Sequence, residues 1–270
     1  MKDQARVVVE REGSYAHVVL NRPEKRNAFD WSMFDSLLTV ADELARDRDV
    51  RAVFVRGAGP SFSAGLDVAS FQKTPLRALQ IFFQPASGIA NVAQEVCLRW
   101  RRIGAPVFAV VHGHCFGAAL QLALGADFRF AHPDAQLSVM EAKWGLIPDM
   151  GASVLLRELV GMDVAKMLTM TARVVDARAA KGFGLVTEVD EDPLAAARRL
   201  ADEITKRSPD AVAAAKALFQ ETWTATEKDA LVTERRLQRK MFVGKNQRIA
   251  VKNNQGKGEP KPYGPTQFRP

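Results

Sequence analysis

The segments of this chain best suited to chemistry are two glycine-rich turns, at residues 61–67 (SFSAGLD) and 112–119 (HGHCFGAA). Each follows an apolar, β-prone run, at residues 52–55 and 107–111 respectively. Small residues let a backbone approach a ligand closely, and two N–H groups from separate turns can point at one oxygen as an oxyanion hole. The second turn leads into a helical sequence at 118–124, and a helix N-terminus favours negative charge. The pattern therefore predicts a site for an acyl oxyanion.

The composition indicates a globular protein, because 47% of the 270 residues are hydrophobic and 26% are charged. The sequence contains no apolar run long enough to span a membrane, and residues 1–6 (MKDQAR) lack the apolar core of a signal peptide. The two cysteines, Cys97 and Cys115, have no metal-binding or redox spacing. We therefore expect a cytoplasmic protein whose thiols are reduced.

The positive charge is concentrated at the C-terminal end. Residues 235–270 contain ten Lys or Arg against one acid, Glu259, whereas the whole chain has a formal charge of +7. Such a segment can attract nucleic acid or the phosphates of a coenzyme, or it can be a solvated helix face followed by a disordered end. Residues 253–270 are rich in Gly, Pro, Lys and Gln, so we expect them to lie extended on a neighbour or to be mobile.

Strand and helix signals alternate along most of the chain, which predicts an α/β fold. Strands are expected at residues 6–10, 15–20, 52–55, 107–111, 126–131, 136–139 and 185–189. Helices are expected at residues 29–46, 73–102, 152–170 with a break at Gly161, 176–183 ended by Gly184, 193–206, 211–222 and 227–241. We divide the chain into a core (1–207), a C-terminal helical oligomerisation region (208–252) and an extended or disordered tail (253–270).

Four segments together resemble the crotonase superfamily, the enoyl-CoA hydratase/isomerase family. They are residues 20–29, 61–67, 111–127 and 141–151, in family order. The resemblance implies a spiral of ββα units that forms two stacked sheets. It also implies a helical tail that covers the active site and helps to build trimers, which often pair into hexamers. The substrate would be an acyl-CoA thioester, with no metal and no redox cofactor.

The resemblance assigns the oxyanion-hole donors to the backbone N–H groups of Leu66 and Ala118. Family hydratases use two glutamates to activate water, and these correspond to Gln121 and Glu141. Gln121 cannot accept a proton as a carboxylate does, because an amide is nearly non-basic. Glu141 can act as a base if an apolar pocket raises its pKa, although a glutamate in a loop is more often a solvated surface residue.

Asp149 follows Glu141 by eight residues. Family dienoyl-CoA isomerases carry an acid at that spacing, together with an Asp where this chain has Gln121. Asp149 can instead be the N-cap of the helix that begins near Gly151. Both roles stay open at this point, as does a plain loop position.

The loop that contains Arg22, Lys25 and Arg26 borders the adenosine-phosphate end of coenzyme A in the family. Guanidinium groups suit phosphate, but a solvated basic loop is the alternative. The full set of expected substrate contacts is Arg22, Lys25, Arg26, Ala28, Ala64, Gly65, Asp67 and Gly117.

A site with a single glutamate resembles the Δ3,Δ2-enoyl-CoA isomerases, in which that glutamate moves one proton from the α-carbon to the γ-carbon. Enoyl-CoA isomerisation is therefore the favoured activity, with Glu141 as base and Gln121 and Asp149 as polar partners. Hydration, dienoyl-CoA isomerisation, and hydrolysis or decarboxylation of an acyl-CoA are alternative reactions. A non-catalytic protein that binds acyl-CoA or RNA is the alternative from another class.

Overall fold

The computed structural model of the chain describes residues 5–77, 79, 88–256 and 258–268. Its strands are β1 (Val7–Glu12), β2 (Tyr15–Leu20), β3 (Ala52–Gly57), β4 (Val107–Val111), β5 (His114–Phe116), β6 (Phe128–Ala131), β7 (Gln136–Ser138), β8 (Val175–Asp176) and β9 (Glu188–Val189). Its α-helices are α1 (Trp31–Arg46), α2 (Val68–Gln72), α3 (Val92–Leu98), α4 (Ala118–Leu124), α5 (Ala152–Leu159), α6 (Met162–Thr171), α7 (Ala177–Phe183), α8 (Pro193–Thr205), α9 (Pro209–Thr222), α10 (Glu227–Phe242) and α11 (Lys245–Asn254). Single 3-10 turns occur at Pro23–Lys25, Arg99–Arg102 and Glu141–Trp144.

The strands form two sheets, which confirms the predicted α/β class. The larger sheet has the order β1-β2-β3-β4-β6-β9, in which β1 and β2 are antiparallel and the other pairs are parallel. The smaller sheet has the order β5-β7-β8. Residues 52–55 of strand β3 are all apolar because both faces are covered there: Val53 and Val55 enter the main core, whereas Ala52 and Phe54 pack on the side of α8.

Most predicted helices are confirmed, and their ends follow local capping chemistry. Helix α1 begins at Trp31 because the Asp30 carboxylate accepts a hydrogen bond from the Met33 N–H at 2.9 Å. The predicted break at Gly161 separates α5 from α6, and Gly184 ends α7 with a φ of +91°.

Two predicted elements are partly wrong. The expected helix over 73–102 is interrupted, because residues 88–90 are not helical and α3 begins only after Asn91, whose side chain caps it. Residues 78 and 80–87 of that prediction lie outside the described residues. The expected strand at 185–189 is reduced to β9, because the N–H groups of Leu185 and Val186 bond to the Ala180 carbonyl and close the end of α7.

The C-terminal helices continue to Asn254, and the chain after them returns to α9. The buried Asp210 carboxylate accepts hydrogen bonds from the Gln267 N–H at 2.6 Å and the Phe268 N–H at 2.9 Å. The Phe268 ring packs in a small apolar cluster with α9 and with Leu237 of α10. The described part of the tail therefore lies on the helices of its own chain. No described helix is both long and apolar enough to cross a membrane.

Candidate active site

The first glycine-rich turn directs the Leu66 N–H away from its own sheet partner. The Phe29 N–H donates to the Gly65 carbonyl at 2.8 Å, and the Asp67 N–H donates to the Phe29 carbonyl at 3.0 Å. Leu66 lies between these two bonds, so its own N–H faces the other side. Within the described part of the chain, this N–H donates to no protein acceptor.

The second turn ends at the N-terminus of α4. Gly117 has φ +53° and ψ −118°, a conformation that suits glycine, and its N–H donates to the Ser138 carbonyl at 2.9 Å. Ala118 follows as the first helical residue, where an α-helix offers no carbonyl partner for the N–H. The Ala118 N–H is thus available to an anion at the end of a helix dipole.

The two turns are held against each other by a short backbone bridge. The Ser63 N–H donates to the His114 carbonyl at 2.9 Å, and the Phe116 N–H donates to the Ser63 carbonyl at 3.2 Å. A Cβ atom at Gly65 would lie 2.6 Å from the Phe116 carbonyl oxygen and 3.8 Å from the Ala118 nitrogen. The fold therefore brings Gly65, Leu66, Gly117 and Ala118 together, and only glycine fits at position 65.

Glu141 lies directly beside the second turn, at the start of the 3-10 turn Glu141–Trp144. A Cβ atom at Gly117 would lie 3.3 Å from Glu141 Oε1. Oε1 accepts a hydrogen bond from Gln121 Nε2 at 2.7 Å, whereas Oε2 is buried without a hydrogen-bond partner among the described residues. Burial raises the pKa of Glu141, the Gln121 hydrogen bond opposes this shift, and the charge of Asp149 adds to it. The alternative of a fully solvated surface glutamate is therefore wrong.

Gln121 is 1% exposed and connects Glu141 to the start of α5. Its Oε1 accepts hydrogen bonds from the Met150 N–H at 2.9 Å and the Ala152 N–H at 3.2 Å. The amide thus satisfies N–H groups at a helix N-terminus, which is the usual work of a capping side chain.

Asp149 does not cap α5, so that expectation is wrong. The N-cap residue is Gly151, with φ +100°, and because it is a glycine it has no side chain to accept a hydrogen bond from the helix. The Asp149 side chain is solvent-accessible, yet the surrounding protein still raises the pKa of its carboxyl by partial desolvation. Its charge acts on both Glu141 and Cys97, so it lies near the candidate base.

The basic loop divides into a buried and an exposed part. The Arg22 side chain is 12% exposed and donates to Asp67 Oδ2 at 2.8 Å and to the Ala28 carbonyl at 3.0 Å. Arg22 and Asp67 therefore hold two loops together, and we no longer expect Arg22 to bind phosphate. Lys25 and Arg26 are exposed.

Ala28 and Ala64 are partly exposed beside this basic loop. The Ala64 N–H donates to the Arg26 carbonyl at 2.9 Å, which ties the first glycine-rich turn to the loop. Among the expected coenzyme contacts, those at Lys25, Arg26, Ala28 and Ala64 are thus exposed at least in part. Two others, Gly65 and Gly117, lie in the glycine-rich turns.

Asn27 organises the backbone around the basic loop, and in the sequence it is notable only as one position of the segment 20–29. It is fully buried, with a φ of +54°, and its side-chain nitrogen donates to the carbonyls of Ala58, Ser61 and Phe62 at 2.8–3.2 Å. An asparagine tolerates this left-handed backbone better than most residues. It therefore fastens the basic loop to the segment that leads into the first glycine-rich turn.

Comparison with known proteins gives one family. The enoyl-CoA hydratase/isomerase model matches residues 10–261. Enoyl-CoA hydratase EchA19 of Mycobacterium tuberculosis is 32% identical over 239 residues, which cover 87% of this chain and 88% of that protein. Human mitochondrial Delta(3,5)-Delta(2,4)-dienoyl-CoA isomerase is 34% identical over 214 residues, which cover 74% of this chain and 63% of that protein.

Solved structures agree with this result. Pseudomonas aeruginosa DspI is similar with a TM-score of 0.85 and 30% identity, covering 97% of this chain and 98% of that one. A putative enoyl-CoA hydratase from Streptomyces coelicolor A3(2) also has a TM-score of 0.85 and 30% identity, covering 98% and 96%. These similarities confirm the predicted crotonase fold. The chain therefore belongs to the enoyl-CoA hydratase/isomerase family.

Proposed function

We propose that this protein is an enoyl-CoA isomerase in which Glu141 is the only base. Glu141 takes a proton from the α-carbon of an enoyl-CoA thioester and returns it at the γ-carbon. The N–H groups of Leu66 and Ala118 stabilise the enolate oxygen between the two steps. One observation carries the proposal: the partly desolvated Glu141 carboxyl lies beside the second turn, where a Cβ atom at Gly117 would be 3.3 Å from Oε1, and the side chain bonded to it is the neutral amide of Gln121.

Hydration is less well supported because it needs a water activated by two carboxylates in the family pattern. Gln121 offers an amide, and its nitrogen touches Glu141 directly at 2.7 Å. The amide oxygen is bonded to two backbone N–H groups. Neither end of Gln121 can act as a second base.

Dienoyl-CoA isomerisation is a second candidate, in which Asp149 would be a further proton carrier. Two observations favour it. The carboxyls of Glu141 and Asp149 both have raised pKa values, chiefly because of desolvation. Relatives named as dienoyl-CoA isomerases reach 34% identity with this chain.

The substrate is proposed to be an acyl-CoA, with the exposed Lys25 and Arg26 available to its phosphates. No metal or redox cofactor enters the mechanism, and a cytoplasmic location is part of the proposal. Two different apolar surfaces are exposed, one with Trp144 and Ile147, the other with Phe219 and Trp223. Two different surfaces can pair head to tail between copies of one chain, and such pairing forms a ring when the rotation closes. This supports a homotrimer or a pair of trimers.

An acyl-CoA panel tests the proposal. Purified protein is incubated with a Δ3-enoyl-CoA, a 3,5-dienoyl-CoA, crotonyl-CoA and a 3-hydroxyacyl-CoA, and products are separated by chromatography. We expect conversion of the Δ3-enoyl-CoA to be faster than hydration of crotonyl-CoA. Faster dienoyl-CoA turnover would favour the second candidate, and dominant hydration would refute both.

Calorimetry with acetoacetyl-CoA tests the thioester site separately. Absence of heat at millimolar ligand would refute an acyl-CoA site altogether. RNA titrated at several salt concentrations tests the remaining alternative, because phosphate contacts weaken steeply with salt. Tight, strongly salt-dependent RNA binding together with no acyl-CoA turnover would favour the non-catalytic alternative.

A further inference from the structure

Ser63 lies between the two glycine-rich turns, and its backbone is bonded to the second of them. Its N–H donates to the His114 carbonyl at 2.9 Å, and its carbonyl accepts from the Phe116 N–H at 3.2 Å. These bonds hold Ser63 against β5, the strand that leads through Gly117 into Ala118. The backbone of Ser63 is therefore fixed relative to the second oxyanion donor.

The side chain of Ser63 is bonded to the first turn and to the basic loop. Ser63 is fully buried, and its hydroxyl donates to the Asn27 carbonyl at 2.8 Å and accepts from the Gly65 N–H at 3.1 Å. A hydroxyl can do both at once, because it has one proton and two lone pairs. Within the described part of the chain, the Gly65 N–H donates to no other acceptor. The hydroxyl thus satisfies a backbone group of a buried residue.

The same hydrogen bonds orient the first oxyanion donor. Asn27 lies two residues before Phe29, whose N–H and carbonyl are bonded on either side of Leu66. Gly65 has a φ of +91°, and a glycine has no side chain to restrict its backbone. Its conformation is held by the Phe29 N–H on its carbonyl and by the Ser63 hydroxyl on its N–H. Loss of the hydroxyl would loosen the turn just before Leu66 and leave a buried N–H without its partner.

We propose that Ser63 is a positioning residue whose buried hydroxyl sets the separation between the Leu66 N–H and the Ala118 N–H. It connects the segment that orients Leu66 to the strand that leads into Ala118. Two donors stabilise one oxyanion fully only when both lie about 2.7–3.1 Å from the oxygen, so a change in their separation weakens the site. The inference rests on the proposed function in one respect, that these two N–H groups hold the thioester oxygen. It does not depend on which carbon receives the proton.

The test compares Ser63→Ala, which removes the hydroxyl and adds no atom, with the wild-type protein. Ser63→Cys is the conservative variant, because a thiol keeps a weak donor and a weak acceptor at this position. Ser208→Ala is the matched control. Ser208 is 7% exposed, and its hydroxyl accepts from the Ala211 N–H at the start of α9, in the C-terminal helices. Thermal unfolding of all four proteins measures how much stability each substitution removes.

Acetoacetyl-CoA is the probe, because loss of a proton between its two carbonyl groups gives an enolate that absorbs in the near ultraviolet. The ratio of bound enolate to bound neutral ligand is measured at one fixed pH with the protein in excess. We expect Ser63→Ala to lower this ratio by about tenfold. This is less than the ~10²–10³-fold cost of losing a whole donor, because a misplaced N–H keeps part of its attraction. Ser63→Cys should lie between Ser63→Ala and the wild type, and Ser208→Ala should leave the ratio unchanged.

The enolate ratio needs no turnover, so it separates this inference from the proposed function. A lowered ratio in Ser63→Ala, together with a wild-type protein that isomerises no enoyl-CoA, would refute the proposed isomerisation but not the role of Ser63. Coenzyme A without an acyl group has no thioester oxygen and should bind all four proteins equally. A Ser63→Ala protein that loses thermal stability but keeps the wild-type ratio would overturn the inference. So would a wild-type protein that does not enrich the enolate above its fraction in free ligand.

Discussion

Replacing the candidate base with its amide, Glu141→Gln, should separate catalysis from binding. Gln has nearly the size of Glu, and its oxygen can still accept the hydrogen bond from Gln121 that Oε1 accepts now at 2.7 Å. Only the basic oxygen is lost. We expect kcat and kcat/KM to fall together by ~10²–10⁴-fold, the usual contribution of a positioned general base. Binding of acetoacetyl-CoA should stay nearly unchanged.

The same substitution should stabilise the protein at neutral pH. Burial raises the pKa of Glu141 above its ordinary value of 4.5, so the folded state holds this proton more tightly than the unfolded state. The unfolded state binds fewer protons in that interval, and stability therefore falls as pH rises through it. Above the folded-state pKa the full penalty of a buried carboxylate is present. Removing that charge should add on the order of 1 kcal/mol, or about 2 °C in Tm.

The assay is thermal unfolding and steady-state kinetics at pH values from 4 to 8. The stability gain of Glu141→Gln should be largest at the alkaline end and disappear below about pH 4.5, where both states are protonated. Glu203→Gln, which removes an exposed glutamate of α8, is the control for net charge. An active Glu141→Gln enzyme would refute the mechanism. A gain that does not depend on pH would refute the assignment of a buried, desolvated carboxylate.

Further substitutions test other parts of the site and the fold. Gln121→Glu restores a second carboxylate and should raise crotonyl-CoA hydration by at least about tenfold; unchanged hydration in a folded variant would show that position 121 is not catalytic. Asp149→Asn should slow dienoyl-CoA turnover more than enoyl-CoA turnover, and equal effects on both would argue against a second proton carrier. Gly65→Ala forces a Cβ atom to 2.6 Å from a carbonyl and should reduce kcat by about 10²-fold or more, whereas Gly13→Ala, with a similar positive φ and no atom within 4 Å, should keep full activity. Asp210→Ala should release the C-terminal segment, which limited proteolysis would detect as early cleavage near residue 262; a variant as resistant as the wild-type protein would refute the role of Asp210 in holding this segment.

The start of α5 shows why the sequence alone could not choose between the alternative roles of Asp149. A capping side chain normally belongs to the N-cap residue, but the helix begins at Ala152 and its N-cap is Gly151, two residues after Asp149. In the structure Gln121 satisfies two N–H groups at this helix start, from 29 and 31 residues away along the chain. A partner from another helix cannot be predicted from local spacing, because it depends on how α4 packs against α5. Asp149 thereby remains free for a role beside Glu141.

Arg22 is a similar case. Its type and its motif suit phosphate, but it pairs with Asp67, which lies 45 positions further along the chain. Three carboxylates, those of Glu24, Asp30 and Asp67, lie within 4 Å of its guanidinium group. Sequence spacing could not predict this pairing, because the two loops meet only after β2 and β3 align in the sheet.

The sequence by itself determined the family, the α/β class and the two turns that carry the candidate oxyanion donors. These features are local: glycines at fixed spacing, small residues after apolar strands, and a helix that begins at the second turn. The tertiary structure decided that the Glu141 carboxyl is desolvated, that Gln121 bonds to the backbone at the start of α5, and which basic residues of the loop at 22–26 remain exposed. Each of these depends on desolvation and on hydrogen bonds between residues far apart in the chain, and such contacts form only when the sheets and helices are packed together.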